Sequence, residues 1–294
     1  MKKIVIVSIA FVFALSTGFA QEKEKKDFSE ILPQRGDIAL GLDMANFIKT
    51  INNSITHAWT DNTVIAFRSD FFGKYFLTDR GAIRARLGIG INNSTDRIFV
   101  RDDNAWFSNP MTNDLLLEKQ TVDVRKMRNT TLELGIGYEC RRSLWRVQGY
   151  LGGEIFGGVN LHRVYFEYGN PMTDANPTPT TAPEYTQALP PFPTWFSIPQ
   201  GVRLPYGDRP LDAKANTWFV GAAVIIGADF FICRNLSIGA EFDLQGIYSH
   251  TSEISAKTET WLLNQAYIAE EPIKPVTSGF NLVPMGRLNL MIYF

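Results

Sequence analysis

The chain has 294 residues, with 29 Lys and Arg against 30 Asp and Glu, a formal net charge of −1 and two cysteines. With no basic excess it lacks the charge footprint of a nucleic-acid binder. Its mean hydropathy is near zero, which suits a soluble protein and a membrane barrel alike.

The first residues read as a secretory signal peptide. Lys2 and Lys3 precede an almost wholly apolar run from Ile4 to Leu15, and Gly18 and Ala20 stand at −3 and −1 of a cleavage before Gln21. The run is too short for a spanning helix, which needs about 20 apolar residues. Residues 1–20 are therefore expected to be removed, and 21–34 to form a charged periplasmic lead. No other apolar run is long enough for a membrane helix. An exported chain of this kind is either soluble or a closed barrel, because only helices and barrels satisfy their backbone in lipid.

From residue 35 onward the dominant pattern is period-two alternation, the mark of strands with two unlike faces. The first strand carries Ile38, Leu40 and Leu42, and the second Ile65, Phe67 and Phe71. In the third, Ile83, Ala85, Leu87, Ile89 and Ile91 alternate with Arg84, Arg86, Gly88 and Gly90. In the fourth, Leu132, Leu134, Ile136 and Tyr138 alternate with Glu133, glycines and Glu139. The fifth sets Val147, Leu151, Ile155 and Val159 against Arg146, Gln148, Glu154 and Asn160. The sixth carries Trp218, Val220, Val224 and Ile226. The seventh sets Ile238, Phe242 and Leu244 against Glu241 and Asp243, and the eighth sets Leu288, Leu290, Ile292 and Phe294 against Arg287 and Asn289. Tight polar turns fall near 79–81, 142–145 and 234–235, and long polar stretches near 45–61, 94–121, 166–213 and 253–278. The last stretch also leaves room for two more strands, because Thr260 to Ala269 can pair locally.

The expected fold is an all-β, transmembrane, antiparallel up-and-down β-barrel over residues 35–294. It would have eight strands, short periplasmic turns and long extracellular loops. A soluble sandwich would also alternate, with its charged face in water. Two features favour the inverted arrangement: aromatics gather at strand ends, as in interfacial girdles, and the polar parity is rich in Gly as well as charge. An eight-stranded bore is filled by its own side chains, so the inward parity gives a candidate lumen network. Its members are Arg68, Asp70, Arg84, Arg86, Glu133, Glu139, Arg146, Glu154, Glu241, Asp243 and Arg287. Enclosed charges must pair or be hydrated, and Arg forks suit bidentate pairing with carboxylates.

The stretch 166–213 holds ten prolines interleaved with aromatics. Proline excludes regular strand. The run Pro177-Thr178-Pro179-Thr180-Thr181 is expected to be mobile. Trp195, Phe196 and Tyr206 are candidates for a surface-loop contact with a ligand or partner. His57, His162 and His250 lack metal-ligand spacing, and no metal or other cofactor is expected. Cys140 and Cys233 fall in turns two strands apart, roughly 10 Å, beyond disulfide reach; free thiols are expected.

Several of these residues carry a resemblance. The final strand ending at Phe294 resembles the last strand of bacterial outer-membrane β-barrels, where it forms part of the assembly signal; this implies recognition by the barrel-assembly machinery. The run Lys74-Tyr75-Phe76-Leu77-Thr78-Asp79-Arg80-Gly81-Ala82-Ile83-Arg84 and the Ala20-Gln21 junction are similar to those of Bacteroidetes outer-membrane β-barrel proteins. As a pattern, residues 35–294 resemble the OmpA-barrel/OmpW/porin-like superfamily. The resemblance implies an outer-membrane address, both termini in the periplasm, and contact with outer-membrane lipid and lipopolysaccharide. The function expected is non-enzymatic: envelope integrity or surface interaction around a largely plugged lumen. A narrow porin for small or hydrophobic solutes is the alternative. His250-Thr251-Ser252 is similar to the His-x-Ser pair of lipid A deacylase barrels, which gives a lipid A-modifying enzyme as a third reading.

Overall fold

A computed structural model describes residues 31–48, 63–108, 119–183 and 209–294. The signal peptide and residues 21–30 of the lead lie outside these, as do Trp195, Phe196 and Tyr206. Ten strands are described: β1 Ile38–Asp43, β2 Thr63–Thr78, β3 Gly81–Arg101, β4 Gln120–Leu144, β5 Val147–Glu167, β6 Arg209–Cys233, β7 Leu236–Thr251, β8 Ile254–Leu262, β9 Gln265–Lys274 and β10 Thr277–Tyr293.

Eight of them close a ring in the order β1-β2-β3-β4-β5-β6-β7-β10, through the β5–β6 and β10–β1 ladders. Every pairing in the ring is antiparallel. Closure leaves no edge through most of the wall, which is how an antiparallel sheet avoids unpaired backbone. Reciprocal bonds between Ile38 and Phe294 (2.9 and 3.3 Å) fasten the first strand to the last. The tight turns β2–β3, β4–β5 and β6–β7 lie at one end of the barrel, together with the start of β1 and the end of β10. Trp145 occupies the left-handed region (φ 59°) in the two-residue β4–β5 turn.

The apolar parity faces outward. Leu134, Ile136, Leu151, Ile155, Val224, Ile226 and Phe242 are each more than half exposed. On β5 the exposed apolar positions run from Leu151 to Leu161, about the 9–11 residues a tilted strand needs to cross a bilayer. Tyr75, Tyr138 and Trp145 mark the turn-side rim, and Trp218 and Tyr248, with ring centroids 5.8 Å apart, the other. No helix among the described residues is long and apolar enough to cross a membrane.

The strands overrun the belt. β3 continues to Arg101 and β4 begins at Gln120, so the expected loop at 94–121 shrinks to 102–119. The apolar alternation stops where the exterior meets water, but the hydrogen-bonded ladder does not. The expected 253–278 loop contains the β8–β9 hairpin, which turns at Leu263-Asn264, both left-handed (φ 51° and 61°). This turn conformation matches the right-handed strand twist. β8 continues the line of β7 and pairs with the start of β6.

The interior is layered. At the turn end Phe76, Phe231, Met291 and Tyr293 form an apolar floor, on which Ile31 and Leu32 pack. A charged layer follows, then Phe156, Ala223 and Ile225. Beyond the belt, Val100, Val164, Phe166, Ala213 and Ile254 line the extension and pack with Ala182 from the β5–β6 loop. One stretch of wall differs: the β1–β2 ladder ends at Leu42↔Phe71 and the β1–β10 ladder ends at Asp43↔Asn289. Above those positions, among the described residues, β2 and β10 have no ladder partner on the facing side.

Candidate functional site

The inward parity brings five cations (Lys74, Arg84, Arg86, Arg141, Arg287) together with seven carboxylates (Asp70, Glu133, Glu139, Glu154, Asp229, Glu241, Asp243). Their side chains are 3% exposed or less, except Glu133 at 12%. Arg84 is the hub. It binds Glu241 through two bonds of 2.8 and 3.0 Å, and its charge also lies 3.1 Å from Glu154 and 3.6 Å from Glu139. Arg86 reaches Glu133 at 2.6 Å and Glu154 at 2.7 Å. Arg287 contacts Asp70 at 3.3 Å, Glu241 at 3.2 Å, and Asp243. Nearer the floor, Lys74 lies 3.2 Å from Glu139, and Arg141 pairs with Glu139 and Asp229 while donating to Gln148 at 2.7 Å.

Aromatic faces complete the solvation of these cations. Lys74 and Arg141 sit 4.5 and 5.0 Å from the Tyr150 ring centroid, and Arg86 sits 5.3 Å from that of Phe156. Tyr150 donates its hydroxyl to Glu241 at 2.9 Å. Every cation thus meets at least two carboxylates. This arrangement tolerates burial, whereas an unpaired enclosed charge costs several kcal/mol. Glycines on the same parity make the room: a Cβ at Gly152 would lie 2.6 Å from the Tyr138 carbonyl oxygen.

Of the eleven residues expected in the lumen, nine meet there. Arg68 is exposed instead, two residues beyond Asp70, where β1 no longer pairs with β2. Arg146 lies in the β4–β5 turn and donates to the Ile232 carbonyl at 3.1 Å, because alternation ends where the turn begins. Lys74, Arg141, Asp229 and Tyr150 went unrecognised. Parity with Asp70 would have found Lys74; Arg141 and Asp229 lie past the alternating residues that mark the fourth and sixth strands, and those strands run further than that pattern.

A second polar cluster closes the loop-side extension. Asp103 accepts bonds from the Thr180 backbone (2.6 Å), the Thr180 hydroxyl (2.8 Å) and Asn176 (2.8 Å), and pairs with Arg101. Asp123 accepts from the backbones of Gly169 (2.9 Å) and Ala182 (2.8 Å). Within the run 177–181, expected to be mobile, Thr180 is bonded to Asp103 through both its backbone and its hydroxyl. Burial alone would push the Asp103 carboxyl up, but the bonds from Thr180, Asn176 and Arg101 outweigh it and hold it below the usual range.

His250 does not pair with Ser252. Its Nδ1 lies 2.9 Å from the Ser278 hydroxyl and its ring stacks on Trp218, while Ser252 donates to the Asn216 carbonyl. Among the described residues no carboxylate contacts His250. Cys140 and Cys233 are exposed free thiols. No group of His, Cys, Asp or Glu among the described residues could hold a metal ion.

No protein-family model matches the chain, and no curated protein matches it. Among solved structures, the outer membrane protein OprG of Pseudomonas aeruginosa is similar at 9% identity, over 90% of this chain and 98% of that one, with a TM-score of 0.33. The barrel assignment rests on the strand ladders of this chain itself.

Proposed function

We propose that this chain is a non-enzymatic outer-membrane barrel whose bore is sealed by its own ion pairs and whose work is done at its surface: holding the envelope together or meeting a partner outside. The observation that carries this reading is the lumen network. Arg84, Glu241, Glu154 and Arg287 tie opposite walls together across the charged layer. An aqueous path would have to break several charge-assisted bonds at once. The apolar outer belt supports the membrane address, since a soluble barrel would place those side chains in its core. With the tight turns on the periplasmic side, both termini are periplasmic. Planar-bilayer recording with purified, heat-modifiable protein tests the reading. Silent bilayers are expected, and large, stable conductance steps would overturn it.

A second reading has one observation in its favour. The stretch where β2 and β10 face each other without a ladder partner is a place where an apolar solute could leave the barrel sideways into lipid. Uptake of an apolar dye into protein-containing liposomes, with no ionic conductance, would favour it. The lipid A-modifying reading has the His250–Ser278 contact but no acid partner among the described residues. An unchanged acylation pattern on deleting the gene rejects it.

A further inference from the structure

Just beyond the belt, three cations occupy directly opposed positions on adjacent strands. Arg128 on β4 faces Arg163 on β5, and Arg163 faces Lys214 on β6. All three share the outward parity of Leu132, Leu161 and Trp218, and all are exposed. Neighbouring strands lie about 4.8 Å apart, so the row spans roughly 10 Å. Like charges directly opposite one another destabilise a sheet, so a row of three needs a compensating anion.

Internal compensation is partial. Arg163 is bonded to Asp212 (3.0 and 3.3 Å), and Lys214 lies 3.2 Å from Glu270. Arg128 has no carboxylate partner among the described residues; its contact is the ring face of Tyr165, 5.9 Å from the centroid. Arg163 sits 4.8 Å from the centroid of the same ring, so Tyr165 holds two guanidiniums side by side without neutralising either. Arg163 follows the last exposed apolar residue of its strand, Leu161, by two positions, roughly 7 Å. That is headgroup depth.

We propose that Arg128, Arg163 and Lys214, set by Tyr165, form a binding row for the phosphate groups of a phosphorylated outer-leaflet glycolipid. Planar guanidinium forks match phosphate oxygens bidentately, and the row meets them at the boundary where such headgroups lie. The inference rests on the membrane reading above.

The test uses the full-length barrel in detergent and native mass spectrometry, with bisphosphorylated lipid A as probe and the same lipid after dephosphorylation as comparison. The wild-type protein should retain the phosphorylated lipid. Arg128→Gln, and Arg128→Gln with Lys214→Gln, should each weaken retention by about tenfold or more, with little difference between proteins for the dephosphorylated lipid. Equal retention of both lipids, or no loss in a variant that still shows folded migration on a gel, would overturn the proposal. So would inorganic phosphate displacing no lipid at all. If no heat-modifiable barrel forms in the first place, it is the membrane reading that fails.

Discussion

Arg84 grips Glu241 through two hydrogen bonds, 2.8 and 3.0 Å, across the whole width of the barrel. β3 and β7, which carry them, are four strands apart in either direction around the ring of eight. A bidentate pair between diametrically opposed strands spans the bore and braces the wall.

Removing one member should therefore cost far more than removing both. Arg84→Ala leaves Glu241, Glu154 and Glu139 facing one another with one cation fewer, and should destabilise the barrel by about 3–5 kcal/mol. Adding Glu241→Ala should restore part of that loss. Urea unfolding followed by gel migration in a double-mutant cycle reads it; strictly additive losses would contradict the bracing role.

Thinning the same network should open the bore. The variant Arg84→Ala with Arg287→Ala, if it refolds, is expected to give small conductance steps where the wild-type barrel is silent, because hydrated carboxylates would then line the axis. Persisting silence would place the seal elsewhere, in the apolar floor of Phe76, Phe231 and Tyr293.

Gly152 is needed for close approach of backbones. Its missing Cβ would stand 2.6 Å from the Tyr138 carbonyl oxygen and 3.2 Å from the Glu139 Cα, neither of which can swing away. Gly152→Ala should cost about 1–3 kcal/mol, seen as a lower urea midpoint with unchanged slope.

The loop-side clamp should open in acid. The Asp103 carboxylate is held below its ordinary value of 3.8. Its stabilising contribution is thus complete above that value and is lost as pH falls from there through the lower folded value. Hydrogen exchange over 168–183 should rise as pH falls from 4 toward about 2, after correction for intrinsic rates. Asp103→Asn should show the faster exchange already at neutral pH.

Cys233 reports which way the turns face. In a Cys140→Ser background, a membrane-impermeant maleimide should leave intact cells unlabelled and label Cys233 once the outer membrane is permeabilised. Labelling of intact cells would invert the orientation.

The alternation of Arg84, Arg86, Glu133 and Glu241 against Leu and Ile was legible in the chain because parity is a local property: two neighbouring residues decide it. So were the tight turns and the identity of nine charges in the bore. Partner choice was not. Asp70 and Arg287 meet across 217 positions of sequence, and which carboxylate an arginine reaches depends on ring closure and strand stagger. The same holds for the shortness of β1, the β8–β9 extension and the Asp103–Thr180 clamp, each settled by backbone hydrogen bonds or by neighbours far away in the chain. Likewise, the row Arg128–Arg163–Lys214 exists only through the register of three strands. The sequence determined which face is greasy and which is charged; only the closed cylinder decided which charges touch.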